Sequence, residues 1–194
     1  MRIIGITGPT GAGKSTVRQG FAALGYDTID ADELYHSMLI PPSPCLDALR
    51  FEFGDSIFTA DGNLDRRELA ALVFSQKDAL ERLNSTVLPI VISKIRDIIR
   101  EAGSQGASVI IIDAPTLIES VFDKECDFVL SISAPQDVRI ERIMKRDGIS
   151  RENALKRVCG QKPDDFYRTA SDAFIYDEGD AELLFSKARN ATGI

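Results

Sequence analysis

Residues 8–16 read GPTGAGKST, between an apolar run, Ile3 to Thr7, and a stretch with helical apolar spacing, Val17, Phe21, Ala22 and Leu24. Gly8, Gly13, Lys14 and Ser15 meet the pattern G-x-x-x-x-G-K-[ST], and a strand before and a helix after are the setting in which that pattern cradles phosphates. Glycines let the backbone turn through positive φ and come close to an anion, so successive N–H groups point into one concave nest. The backbone of Gly11, Ala12 and Gly13, with Lys14, Ser15 and Thr16, is expected to hold a nucleoside triphosphate. The helix start near Gly13 adds unpaired N–H groups and the positive end of its dipole. Lys14 would reach the β and γ phosphates, and the Ser15 hydroxyl would ligate a Mg²⁺ that bridges them.

Such a loop belongs to an α/β chain, and the remaining sequence alternates accordingly. Tyr26 to Ile29 reads as a second strand after a stop at Gly25, ending at Asp30-Ala31-Asp32. Ser108 to Ile112 followed by Asp113 is a third strand, Phe128 to Ile132 a fourth and Ala173 to Tyr176 a short fifth. The expectation is a P-loop NTPase fold, a five-stranded parallel sheet with helices on both faces. All 194 residues form one domain on this reading, with a helical insertion at about 33–101 and a helical lid at about 142–165. Within the insertion, Ile40-Pro41-Pro42-Ser43-Pro44 is a break, Asp61-Gly62-Asn63 a turn, and Asp65 to Glu68 a capping box opening a helix through Phe74. A longer helix is predicted from about Lys77 to Arg100, kinked or divided at Pro89. Ser133 and Gln136 have capping-box spacing, with Pro135 suited to the first turn of the helix that follows.

Net charge is −7, which argues against a nucleic-acid surface. No apolar run approaches the roughly 18 residues of a spanning helix, so a soluble, cytoplasmic protein without membrane partners is expected. Cys45, Cys126 and Cys159 lack zinc spacing and are odd in number, which points to reduced thiols.

In open parallel sheets the ligand lies beyond the carboxyl ends of the strands, where Asp30, Asp32 and Asp113 are placed. A spacing of two would set Asp30 and Asp32 on one side if the strand continued. One carboxylate can then orient metal-bound water while the other takes a proton from an acceptor hydroxyl, although either can instead cap the next helix. Asp113 resembles the carboxylate that supports Mg²⁺ in such sites. Downstream, Arg139, Arg142, Lys145 and Arg146 share a helical face, and Ser150 opens another helix carrying Arg151, Lys156 and Arg157. Together they suit a lid whose guanidinium groups meet the transferring phosphoryl, with Arg142 and Arg146 the chosen contacts. His36, the only histidine, is either a substrate-phosphate ligand or a surface residue.

These segments resemble the dephospho-coenzyme A kinase family through nearly the whole chain. GITGPTGAGKST is similar to that family's phosphate loop, IDADELYHSM to its second-strand motif, FGDSIFTADGNLDRRELAALVF to its inserted region, IIIDAPTLIES to its third-strand motif, and RIERIMKRDGISRENALKRVCGQ to its lid through Gln161. The resemblance implies ATP- and Mg²⁺-dependent phosphorylation of the ribose 3′-hydroxyl of dephospho-CoA, the last step of coenzyme A biosynthesis. It makes Asp32 the base, assigns the acceptor to the inserted helices, and turns Arg142 and Arg146 toward ATP; the protein is expected to act as a monomer or small homo-oligomer. The chain departs from the family at His36, where arginine is usual, and at Leu88-Pro89, where His-Pro is usual. It also lacks the usual glycine near Ile40-Pro41-Pro42-Ser43-Pro44 and reads Ala114-Pro115-Thr116-Leu117 where two leucines normally follow the proline. Lost charge-assisted hydrogen bonds to an acceptor phosphate would each cost about 1.5–3 kcal/mol.

The rivals are another small-molecule or nucleoside monophosphate kinase of the same fold and a non-catalytic nucleotide-binding relative. A shikimate kinase would carry a glycine-rich third-strand motif in place of Asp113-Ala114-Pro115-Thr116. A regulatory GTPase would carry N-K-x-D and D-x-x-G motifs, and the sequence has neither.

Overall fold

The computed structural model describes residues 1–76 and 78–194. In chain order the elements are β1 (Arg2–Thr7), α1 (Lys14–Ala23), β2 (Asp27–Asp30), α2 (Ala31–Ser37), α3 (Pro44–Phe53), α4 (Arg66–Ser75), α5 (Ala79–Ser104), β3 (Val109–Asp113), β4 (Phe128–Ser133), α6 (Gln136–Asp147), α7 (Arg151–Cys159), α8 (Asp164–Thr169), β5 (Ala173–Tyr176) and α9 (Ala181–Thr192). They fall into two compact units, Met1–Asp30 with Glu101–Ile194, and Ala31–Arg100.

The first unit holds one five-stranded sheet in the order β2-β3-β1-β4-β5, with every pairing parallel. A parallel sheet buries both faces, so its central strands read as apolar runs rather than alternations. Ile110, Ile111 and Ile112 of β3 are accordingly all inaccessible to solvent. On one face Ile4, Ile6, Leu130 and Ile132 pack with Val17 and Phe21 of α1 and Leu184 and Ala188 of α9. Side chains alternate between faces along a strand, so Ser131 points the other way. There its hydroxyl donates to the carbonyl of Tyr167 on α8, which puts helices on both faces. Register aligns the carboxyl ends: Asp30 lies opposite Asp113, Asp113 opposite Ile6, and Ile6 opposite Leu130.

The second unit is helical around Leu46, Leu49, Phe53, Ile57, Leu69, Val73 and Val87. Ser43, at the end of the proline-rich break, accepts from the Cys45 N–H at 3.1 Å and Pro44 takes the first helical position, which starts α3. The turn at Asp61-Gly62-Asn63 forms, with Gly62 at φ 80° and Phe58 bridged to Leu64. Asp65 then caps α4, accepting from the N–H groups of Arg67 and Glu68 at 2.9 and 3.2 Å. Asp65→Ala should lower unfolding stability by about 0.5–2 kcal/mol, read as a fall in the urea midpoint at unchanged slope.

Of the two outcomes expected at Pro89, division does not occur, since α5 is continuous from Ala79 to Ser104. Pro89 and Ser85 are both exposed, so water can reach the carbonyl that proline leaves without a helical donor. The predicted start of that helix at Lys77 lies outside the described residues. Ser133 does not cap α6: its hydroxyl is 2.6 Å from Asp164, and Pro135 occupies the N-cap position instead of the first turn. Finally, β2 ends at Asp30 and α2 begins at Ala31. Asp30 and Asp32 are therefore not related by strand alternation. Asp32 and Glu33 lie in the first turn of α2, where carboxylates favour the positive end of the helix dipole.

Among the described residues no helix is long and apolar enough to cross a membrane. Cys45, Cys126 and Cys159 are free thiols, and burial pushes Cys126 up to about 12, which keeps it protonated.

Candidate active site

The phosphate loop leaves β1 over the end of β4. Gly8 has φ 133°, and a Cβ there would lie 2.0 Å from the carbonyl oxygen of Ile132, so only glycine fits. Gly13, at φ 99°, occupies the N-cap of α1, where a Cβ would lie 2.8 Å from Leu184 Cδ2 and 3.0 Å from Asp177 Oδ2. The cradle is thus defined by backbone and by neighbours that leave no room for side chains on the loop.

Lys14 is 8% exposed. Its Nζ donates to the carbonyls of Gly8 at 2.9 Å and Pro9 at 3.1 Å, which holds the ammonium inside the loop. Ser15 and Thr16, in the first turn of α1, are exposed. Asp113, at the end of β3, is 4% exposed. Arg18, one turn beyond Ser15, donates to Asp30 Oδ2 at 3.0 Å and places its Nε 3.8 Å from Asp113 Oδ2. One guanidinium thereby sits beside both strand-end carboxylates. Arg18 was not singled out from sequence, although its spacing of four from Lys14 puts both on one helical side.

The expected lid arginines reach the loop itself. Arg139 Nε donates to the Thr10 carbonyl at 3.0 Å, and its Nη2 donates to Gln161 Oε1. That same oxygen accepts from the Thr10 N–H at 3.1 Å. Both backbone polar groups of Thr10 are therefore held by the segment from α6 to Gln161. Arg142 Nη1 donates to the Gly11 carbonyl at 3.1 Å and to Asp177 Oδ2 at 2.6 Å. Arg146 is 3.4 Å from the Thr10 hydroxyl and pairs with Asp147. Hydrogen bonding from Arg146, reinforced by the charges of Arg146 and Arg157, holds the Asp147 carboxyl below the usual range. The two helices of this segment share a small core of Ile140, Ile143, Ala154 and Val158.

The first unit thus assembles Gly11, Ala12, Gly13, Lys14, Ser15, Thr16, Asp113, Arg142 and Arg146, and adds Arg18, Gln161 and Asp177. Asp177 follows the apolar run of β5, so the rule that drew attention to Asp30 and Asp113 also applies to it. Asp32 and His36 belong to the second unit: both are exposed on α2, and the His36 ring stands 5.9 Å from that of Tyr35. Leu88, on α5, is half-buried.

The sequence profile of the dephospho-CoA kinase family matches residues 2–182. A dephospho-CoA kinase of Carboxydothermus hydrogenoformans is 36% identical over 180 residues, covering 93% of this chain and 87% of that protein. Among solved structures, a Thermus thermophilus protein aligns with a TM-score of 0.80 at 31% identity over 99% of this chain and 96% of its own. A dephospho-CoA kinase from Campylobacter jejuni shares the fold, with a TM-score of 0.67 at 23% identity over 100% of this chain and 99% of its own.

Proposed function

This chain belongs to the dephospho-CoA kinase family, and on that premise we propose that it moves the γ-phosphoryl of ATP to the ribose 3′-hydroxyl of dephospho-CoA. The observation that carries the reading is the match along residues 2–182 joined to a complete phosphate loop with Lys14 buried inside it. ATP would lie with its phosphates on the N–H groups of Gly11 to Thr16. Ser15 and Asp113 would hold Mg²⁺; a hydroxyl and a carboxylate are the oxygen donors this hard cation takes, with water and phosphate oxygens completing its shell. When bound, the ion neutralises charge on the β and γ phosphates.

Asp32 accepts the proton of the 3′-hydroxyl as its oxygen bonds to the γ phosphorus, while the bond from that phosphorus to the β–γ bridging oxygen breaks and ADP leaves. Lys14, Arg142 and Arg146 stabilise the charge on the transferring group. The insertion at about 33–101 binds the acceptor, the segment at about 142–165 acts as the lid, and the reaction takes place in the cytoplasm.

The deciding measurement is ADP release from Mg·ATP with dephospho-CoA, shikimate and nucleoside monophosphates as separate acceptors. Stimulation by dephospho-CoA alone, with mass spectrometry locating the phosphate on the 3′ position, is the expected result. Turnover with another acceptor, and none with dephospho-CoA, would sink the assignment.

A further inference from the structure

We infer that Asp177 is a positioning residue that orients Arg142 toward the triphosphate through a buried ion pair at the phosphate loop. Its side chain is 1% exposed, a place where a carboxylate is stable only with full compensation. That compensation is visible: Oδ1 accepts from the Gly179 N–H at 2.8 Å, and Oδ2 accepts from Arg142 Nη1 at 2.6 Å. The Asp177 N–H in turn donates to the Ser133 carbonyl at 2.7 Å, which ties the backbone carrying this carboxylate to the end of β4. The Asp177 carboxylate therefore has a rigid seat on the sheet.

Arg142 is bound differently. Both of its hydrogen bonds, to Asp177 and to the Gly11 carbonyl, leave from Nη1. Its Nε and Nη2 make no hydrogen bond among the described residues, and the side chain is 36% exposed. A guanidinium is a planar fork, so fixing one prong against two acceptors fixes the plane of the other donors. The two acceptors come from opposite sides of the problem: one is the loop that holds the phosphates, the other the strand end that holds Asp177. Without Asp177 a long, mobile side chain would keep only its bond to Gly11. The carboxylate thus lowers the ordering cost of the arginine before ATP arrives. Its negative charge opposes the triphosphate, and the gain from orienting the guanidinium outweighs that repulsion.

The inference rests on Arg142 serving ATP, and a double-mutant cycle separates the two claims. Kinetics with Mg·ATP and dephospho-CoA, together with binding of a non-hydrolysable ATP analogue, would be measured for D177N, D177A, R142M and both double mutants. D177A should lower kcat/KM for ATP by about ten- to a hundredfold, the scale on which a displaced catalytic group loses rate. D177N keeps one acceptor oxygen for Arg142, without charge assistance, and sets an NH2 donor against the Gly179 N–H; it should lose about three- to tenfold. Neither change should add to the loss in R142M, because the partner it acts through is gone. Should D177A fail to fold, D177N and its cycle with R142M decide alone. If R142M retains wild-type kcat/KM, the role proposed for Arg142 falls. If R142M is impaired while D177N and D177A match wild type, bind ATP better, or act additively with R142M, the inference about Asp177 is overturned on its own.

Discussion

Asp32→Asn is expected to bind ATP as the native protein does and to lose roughly 10²–10⁴ of turnover, the usual contribution of a positioned general base. The amide keeps the size and the hydrogen-bonding acceptor of the carboxylate but cannot take up the 3′-hydroxyl proton. Folding should be nearly untouched, because Asp32 is exposed in the first turn of α2. Removing a carboxylate from that position costs about 0.3–1 kcal/mol of helix-dipole interaction. A rate loss of 10²–10⁴ corresponds to about 2.7–5.4 kcal/mol of barrier, so the two effects separate cleanly in one comparison of unfolding and kinetics. Glu33 cannot stand in, since the next residue on a helix points about 100° away. The opposite result has a definite meaning as well. Phosphoryl transfer through a loose transition state leaves the acceptor proton largely in place until late. Wild-type turnover in Asp32→Asn would therefore show that the hydroxyl is positioned but not deprotonated at this residue.

The elements that were legible in the sequence are those whose causes are local. The phosphate loop needs glycine at fixed spacing because its backbone runs at positive φ under a neighbouring carbonyl, and spacing of that kind can be read directly. The Ile110 to Ile112 run declares a buried parallel strand for the same local reason. The arginines at 139, 142 and 146 announce one helical face, and that face does meet the phosphate loop. What they touch there was not legible. Arg142 and Asp177 are separated by 35 positions, and Thr10 and Gln161 by 151, so only the fold brings them together. The alternation expected to relate Asp30 to Asp32 failed because β2 ends where α2 begins, and Asp30 pairs with Arg18. Ser133 failed in a similar way: a serine with capping spacing had a stronger use, bonding Asp164 across 31 positions. Short-range rules name the residue types that matter, and long-range pairing decides their employment.

Lys14→Met should lower kcat/KM for ATP by about 10²–10³, the effect of removing one preorganised charge from a reacting oxygen. Methionine approximates the lysine stem, so the apolar part of a side chain only 8% exposed keeps its packing. The ammonium is what disappears, and it has two tasks. It holds the carbonyls of Gly8 and Pro9, which shapes the loop, and it carries the positive charge expected to meet the β and γ phosphates. Those tasks predict different kinetics. If loop shape dominates, ATP binding weakens and kcat at saturation recovers, because ground and transition states lose equally. If charge on the transferring phosphoryl dominates, kcat itself falls. The second outcome is expected, because charge at the γ phosphate is stabilised most where bonds are changing. Lys14→Arg should not rescue it: a guanidinium is bulkier than the ammonium that fits between two carbonyls, and its planar donors cannot reproduce that geometry. Native turnover in Lys14→Met would mean that the loop binds nucleotide without taking part in the transfer.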